Sequence, residues 1–376
     1  MQNTQSSTKR PHPCLVNAMF LLACWFNQPY DLRPLEEIFL EKARVGLSRS
    51  LQGLDKLLDF IRASSLIGLY HYGKGNMLEG YDHICSAAQI GRACGIDAIK
   101  SHVWRDPTIP SQITRRYFEN LPGNFKVTPF IIPLAEDATA LGERIHAFWS
   151  VWIVDASGSA THGLARAFDD EDVLTPLPYP IEAYDGGGVT EDNTRTLGQF
   201  WREEGYADSL DPPFTHRIKA TSVLEAACTL SRVYGVPAMG DVWSNQPALP
   251  IDPLQQPEFE EKFSRIARIC NNLRDRLPNV LPINLTNQDV VQDWYQAGID
   301  PVMVHAWGLT LCTIMTLNDI KARVNTSAYD LALDAAYQMV LVIRRIVDLD
   351  FFQLDIMLGV RSSFHPTRFQ PTSRAS

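Results

Sequence analysis

No C-x-x-C pair occurs among the seven cysteines, Cys14, Cys24, Cys85, Cys94, Cys228, Cys270 and Cys312. That absence excludes the zinc fingers and ribbons whose ligands come in such pairs. An odd number of cysteines without framework spacing also argues against a disulfide scaffold and favours a reducing compartment. Basic charge is short: 34 Lys and Arg stand against 43 Asp and Glu, a formal net charge of -9. The only tight basic pairs are Lys9-Arg10, Arg115-Arg116 and Arg344-Arg345. A clustered footprint for nucleic acid phosphates is therefore missing, and so is a strong nuclear-import run. The longest later apolar run, Val302 to Leu317, contains His305. It falls short of the ~20 residues of a membrane helix. Period-two alternation, the mark of half-buried strands, is nearly absent as well.

What is present is helical periodicity. The chain has 376 residues, 45% hydrophobic and 20% charged, enough for one large domain or two closely packed ones. Ile145, Phe148, Trp149, Trp152 and Ala156 recur at helical spacing and form a broad aromatic face. Phe259, Phe263, Ile266, Cys270, Leu273 and Leu277 repeat the pattern. Leu58, Ile61, Ser65, Leu66 and Leu69 share one face, as do Tyr81, Ile84, Cys85 and Ala88, with Gly91 allowing close helix approach. Asp300-Pro301 reads as the N-cap and first-turn proline of one helix, and Ser327 as the cap of the next. The fold class is all-α.

The N-terminus imitates a secretory signal, since Lys9-Arg10 precedes the apolar run Cys14 to Phe26. Two sequons begin at Asn284 and Asn325, but no small-residue cleavage site follows the apolar run. The segment reads as a first core helix. Residues 1–12 and 361–376 are polar tails, expected to be disordered. Between them, 13–360 forms the helical body as two halves, joined by a flexible Pro/Gly-rich connector at about 176–198. The stretch from Pro107 to Pro133 is proline-punctuated and reads as irregular.

Glycines at 73, 75 and 80 suggest a phosphate loop, but the spacing fails. Gly75 follows Lys74 where a P-loop needs Ser or Thr, and Leu78 stands where a dinucleotide fingerprint needs Gly. They read as a turn between two helices.

The segments "HPCLVNAMFLLACWF", "FLEKARVGLSRSL" and Leu58 to Ile96 come in an order that resembles the fungal-specific transcription factor domain. Leu40, Ala43 and Arg44 fit its second element, and Ile61, Ala63, Leu66 and Tyr70 its third. Gly75, Tyr81 and Ala93-Cys94-Gly95-Ile96 fit the last. A sharper match is "RIHAFWSVWIVDASGSATHGLARAFDDEDVLTPLP", in which Arg144, Phe148, Trp149, Asp155, Gly163, Asp169, Asp172 and Pro178 take family positions. Ala156 and Ala165 depart from the usual arginine and proline. "HRIKATSVLEAACTLSRV" resembles the next helix of that family. Arg144 and Asp155 lie nearly on one helical line, with the Asp155 carboxylate placed to tie down the loop that follows.

The resemblance implies a nuclear transcription regulatory domain without the family's six-cysteine zinc cluster. It would act through protein partners (a second copy, a zinc cluster transcription factor or coregulators) or through a small-molecule effector. The net charge of -9 and the missing cluster predict no direct specific DNA binding, the short apolar run predicts no membrane span, and no cofactor is expected. Two alternatives stand beside it. "FDDEDVL" resembles the metal-binding aspartates of all-α isoprenoid synthases, with Asp169 to Asp172 in the acidic role. That motif needs a further acid where Val173 stands, and a second motif at Asn318-Asp319 fails at Ala322 and Thr326. The other alternative is an interaction scaffold that takes no ligand. No catalytic, cofactor-binding or metal-ligating residue is assigned, and His146 and His305 read as core or surface histidines.

Overall fold

The computed structural model describes residues 10–26, 32–105, 132–191, 195–204, 211–234, 257–277, 300–322 and 325–346. Most of Pro107 to Pro133, the Asn284 sequon and residues 347–376 lie outside them. Among the described residues there are ten α-helices and no strand. The all-α expectation holds.

The chain divides into two compact units, 1–155 with 167–205 and 156–166 with 206–376. In the first, α1 (Pro13–Phe26), α2 (Arg33–Gly53), α3 (Leu57–Lys74) and α4 (Met77–Ala93) follow one another. The signal-like run is α1, and it buries Cys14, Ala18, Leu21 and Cys24. The chain just before it is tied down: the His12 N–H donates to Asp59 Oδ2 at 2.7 Å, and Lys56 Nζ donates to the Arg10 carbonyl. Residues 1–9 lie outside the described ones.

The glycine turn separates α3 from α4. Gly75 closes α3 at φ 84°, a left-handed conformation that favours glycine. Close helix approach occurs at Gly68 and Gly80, not at Gly91. A Cβ on Gly68 would stand 3.1 Å from the Gly80 carbonyl oxygen, and one on Gly80 would stand 3.0 Å from that of Gly68. A Cβ on Gly91 would meet only Ile96, at an ordinary 3.4 Å. The apolar faces also differ from the expected stripes. Leu57, Phe60, Ile61, Ser64, Ile67, Gly68 and His71 of α3 are buried, while Leu58, Leu66 and Leu69 are only half-buried. The reason is topological: α3 contacts α1, α2 and α4, so it has no single inward face.

Helix α5 (Ala138–His162) carries the aromatic face, and Ile145, Phe148, Trp149, Trp152 and Ala156 are all buried. The division between units falls within α5, after Asp155. The segment expected to be a connector instead folds against its own unit. Trp149 Nε1 donates to the Pro176 carbonyl at 2.6 Å, and the Leu177 N–H to the Arg195 carbonyl at 2.7 Å. A 3-10 turn at Ile181–Gly187 buries Tyr184 completely. A short helix, α6 (Leu197–Trp201), follows with Thr196 and Gln199 as a capping box.

The second unit contains α7 (Pro213–Tyr234), α8 (Pro257–Arg274), α9 (Pro301–Lys321) and α10 (Thr326–Ile346). Asp300 caps α9 as the sequence predicts, accepting from Val302 N and Met303 N. Ser327 does not cap α10. Asn325 Oδ1 accepts from the N–H groups of Ser327 and Ala328 at 2.9 and 3.4 Å, because the helix begins one residue before Ser327. The core joins Ala220 and Leu224 of α7, Leu273, and Ala306, Leu309 and Cys312 of α9. The α8 stripe is mostly buried, with Phe263 half-exposed and Ile269 added.

Candidate functional site

A cleft of about 530 Å³ opens among α2, α3 and α4. Its apolar lining is Leu47, Leu51, Phe60 and Leu78, and its polar rim includes Arg44, Ser64, Glu79, Asp82 and His83. Helical periodicity gathers these groups: Arg44, Leu47 and Leu51 lie on one face of α2, and Glu79, Asp82 and His83 on one side of α4.

Behind the rim stands a polar array around His71, which is buried. Arg44 NH2 lies 3.2 Å from His71 Nε2, and Glu79 Oε2 lies 3.0 Å from His71 Nδ1. A guanidinium only donates and an ionised carboxylate only accepts. Both contacts are satisfied when His71 is neutral with its proton on Nδ1. Burial lowers the His71 pKa against the opposing pull of Glu79, which agrees with the neutral ring. The His83 ring stacks on it, with centroids 5.7 Å apart and planes 4° apart. Burial first, then His71 and Arg44, pull the His83 pKa down to about 4. Ser64 Oγ donates to the His83 carbonyl at 2.8 Å, leaving its lone pairs toward His83 Nδ1 at 3.4 Å.

A second knot ties the ends of α2 and α3. Buried Glu36 accepts from Tyr70 Oη at 2.9 Å and pairs with Lys74 Nζ at 2.8 Å. The Lys74 ammonium also lies over the rings of Trp25 and Tyr70.

Apart from the family positions Arg44 and Tyr70, the site candidates weighed in the sequence lie elsewhere. Asp155 is buried, and its carboxylate accepts from the N–H of Ala167 at 3.0 and 3.1 Å and of Phe168 at 3.4 Å. It ties down the loop as its place on the helix predicts. Arg144 sits near Cys94 and Glu136, and burial lowers its pKa. His146 Nε2 donates to the Tyr179 carbonyl at 2.8 Å, and His305 is buried in α9. Asp169 and Asp172 are exposed, whereas Asp170 accepts from the indoles of Trp152 at 3.2 Å and Trp201 at 3.3 Å. Val173, at the position where the synthase motif needs an acid, is buried. Asn318 Nδ2 donates to the Ile314 carbonyl of its own helix. Among the described residues, no group of three or more His, Cys, Asp or Glu is placed to hold a metal ion.

The cleft went unread in the sequence because its residues come from three helices. The one available signal was the chemistry of Arg44, His71, Glu79 and His83, ordinary residues for an exposed helical surface.

Residues 1–224 match the sequence model of the fungal specific transcription factor domain. No curated protein and no solved structure matches the chain. The chain belongs to the fungal specific transcription factor domain family, a family of transcription regulators. No described helix is long and apolar enough to cross a membrane.

Proposed function

We propose that this chain regulates transcription in the nucleus through other molecules and not by reading DNA itself. The partners are proteins, zinc cluster transcription factors among them, and a small-molecule effector occupies the α2–α3–α4 cleft. The observation that carries this reading is the combination in the cleft of four apolar side chains with a charged rim, the make-up of a small-molecule site. Arg44 is balanced by Glu79, 3.8 Å away, so Asp82 leaves the rim with an excess of negative charge. The effector class that suits it is an amphipathic amine, with its apolar part against Leu47, Leu51 and Phe60.

Thermal-shift titration with alkyl and aryl amines, beside matched carboxylates, tests this. Ligand at one hundred times its dissociation constant stabilises by about 2.7 kcal/mol. Amines that raise the melting temperature of the parent but not of Asp82→Leu support the reading. No response to any amine, or equal response in the variant, overturns it. The DNA half is tested separately, by titration of randomised duplexes and metal analysis of the purified chain. With a net charge of -9 and no C-x-x-C spacing, the expectation is no enriched motif and no stoichiometric zinc. Specific base contacts need supporting phosphate contacts, whose released counterions give a steep salt dependence. One enriched duplex sequence bound by pure protein sinks this half.

A further inference from the structure

Helix α10 is packed in an unusual sense. Its inward face consists largely of small residues: Ala328, Ala332 and Ala335 are buried, with Met339 and Val342. Its outward face carries the larger side chains, with Leu333 50% exposed, Tyr337 61%, Val340 44% and Leu341 39%. A surface helix normally places large apolar residues inward and polar ones outward. Scattered exposed hydrophobics need no explanation, but a contiguous stripe of them marks an interaction surface.

The stripe has a register. Asp330, Leu333, Tyr337, Val340 and Arg344 are spaced alternately by three and four residues, the period of a two-helix seam. All five are exposed. Apart from Val340, whose two-fold mate is the exposed Asp334, the seam is also self-complementary about Tyr337. Asp330 lies seven residues before it and Arg344 seven after, while Leu333 and Leu341 lie four to either side. Two copies of α10 laid antiparallel across a two-fold axis at Tyr337 would set Asp330 against the partner's Arg344, twice. Leu333 would meet the partner's Leu341, and Tyr337 its own symmetry mate. A parallel pairing would oppose like charges at both ends. Charge therefore selects one occupant and one direction.

We propose that the outward face of α10 is a homodimerisation seam, which a second copy of this chain occupies in an antiparallel, two-fold arrangement. Such an interface is isologous, each patch serving as its own partner. From Asp330 to Arg344 the seam runs for about 21 Å at 1.5 Å per residue. That is a small contact beside a standard interface of about 1,200–2,000 Å², so the dimer dissociates in the micromolar range. The proposal does not depend on the effector reading of the cleft, which lies on other helices.

Sedimentation of the full chain from submicromolar to high micromolar concentration tests it. The parent should show a reversible monomer–dimer equilibrium. Leu333→Glu, which enters the interface twice, should weaken the dimer more than about tenfold without changing the melting temperature of the monomer. Asp330→Arg should weaken it too, and adding Arg344→Asp in the same chain should restore it. Tyr337→Cys should be trapped as a covalent dimer by a short bismaleimide, whereas the parent and Leu331→Cys should not. A parent monomeric at every concentration overturns the proposal. So does a dimer indifferent to Leu333→Glu, or one that the double charge exchange fails to rescue. A monomeric parent destabilised by Leu333→Glu also overturns it, because the face is then covered by the chain itself.

Discussion

Helices α2, α3 and α4 share a connected network of charge and imidazole, whereas α7, α8 and α9 share a large apolar cluster. In the first group, Glu36, Tyr70, Lys74, Arg44, His71 and Glu79 are joined by directional contacts of 2.8–3.8 Å. In the second, Leu224, Leu273, Leu309 and Cys312 belong to an apolar cluster, while His216, Lys219 and His305 are also buried on its helices. Two of the three buried threonines of α9 bond back to their own helix, Thr310 donating to the Ala306 carbonyl and Thr313 to that of Leu309. The difference is functional in kind. Hydrocarbon burial is non-directional and insensitive to pH, so it suits a support. A buried polar array is satisfied in only one protonation state, so its geometry responds to a proton or a charged ligand.

The widest test of that contrast starts from the aromatic face of α5. Trp149→Ala should cost about 3–5 kcal/mol, a large part of a total stability of about 5–15 kcal/mol. Urea denaturation followed by circular dichroism measures it. A parent-like midpoint would remove Trp149 from the centre of the core. Leu309→Ala, in the apolar core of the second unit, should cost about 2–5 kcal/mol, with a loss that stays the same between pH 7 and pH 5.

Smaller is the effect of Asp155→Ala, which strands the buried N–H groups of Ala167 and Phe168. Leaving buried donors unsatisfied costs about 1–3 kcal/mol. Hydrogen exchange should accelerate at those two loop amides well before α5 itself responds; unchanged protection there would refute the tie.

The most discriminating effect is in pH. An unfolded histidine titrates near ~6.5, while His83 in the folded chain is held down to about 4, and His71 is shifted the same way. The unfolded chain therefore binds the proton more readily across that window. The stabilisation is complete above ~6.5 and is lost as pH falls toward about 4. His146 and His216, also lowered by burial, add slopes of the same sign. His83→Asn should flatten the loss of melting temperature between pH 7 and pH 5. An unchanged slope would mean that the stacked pair is not the acid-sensitive element.

The sequence made the α5 face legible because large aromatics at helical spacing leave one way to be buried. It also disclosed Asp300 as a cap, which acts within three residues of itself, and Asp155 as the anchor of the loop that directly follows its helix. What escaped it was contact between helices. Arg44, His71 and Glu79 come from α2, α3 and α4, and nothing in the local pattern sets their distances. Ser327 is an adequate cap by residue type, but Asn325, two residues earlier, takes that place and accepts from the N–H groups of Ser327 and Ala328. The Pro/Gly-rich segment at about 176–198 lacks periodicity, yet Tyr184 fastens it with a bond of 2.7 Å between its hydroxyl and His102 Nδ1. Absence of period marks irregular backbone; it does not mark a loose one.

Asp170, gripped by the indoles of Trp152 and Trp201, has a consequence for light. Trp152 is fully buried and its ring nitrogen donates to the Asp170 carboxylate, so its emission should differ from that of an indole in bulk water. The docking of the acidic loop on α5 is thereby written into the protein's own fluorescence. Undocking moves both indoles toward the red emission of solvated tryptophan, and any partner or effector that loosens the loop becomes visible without a dye.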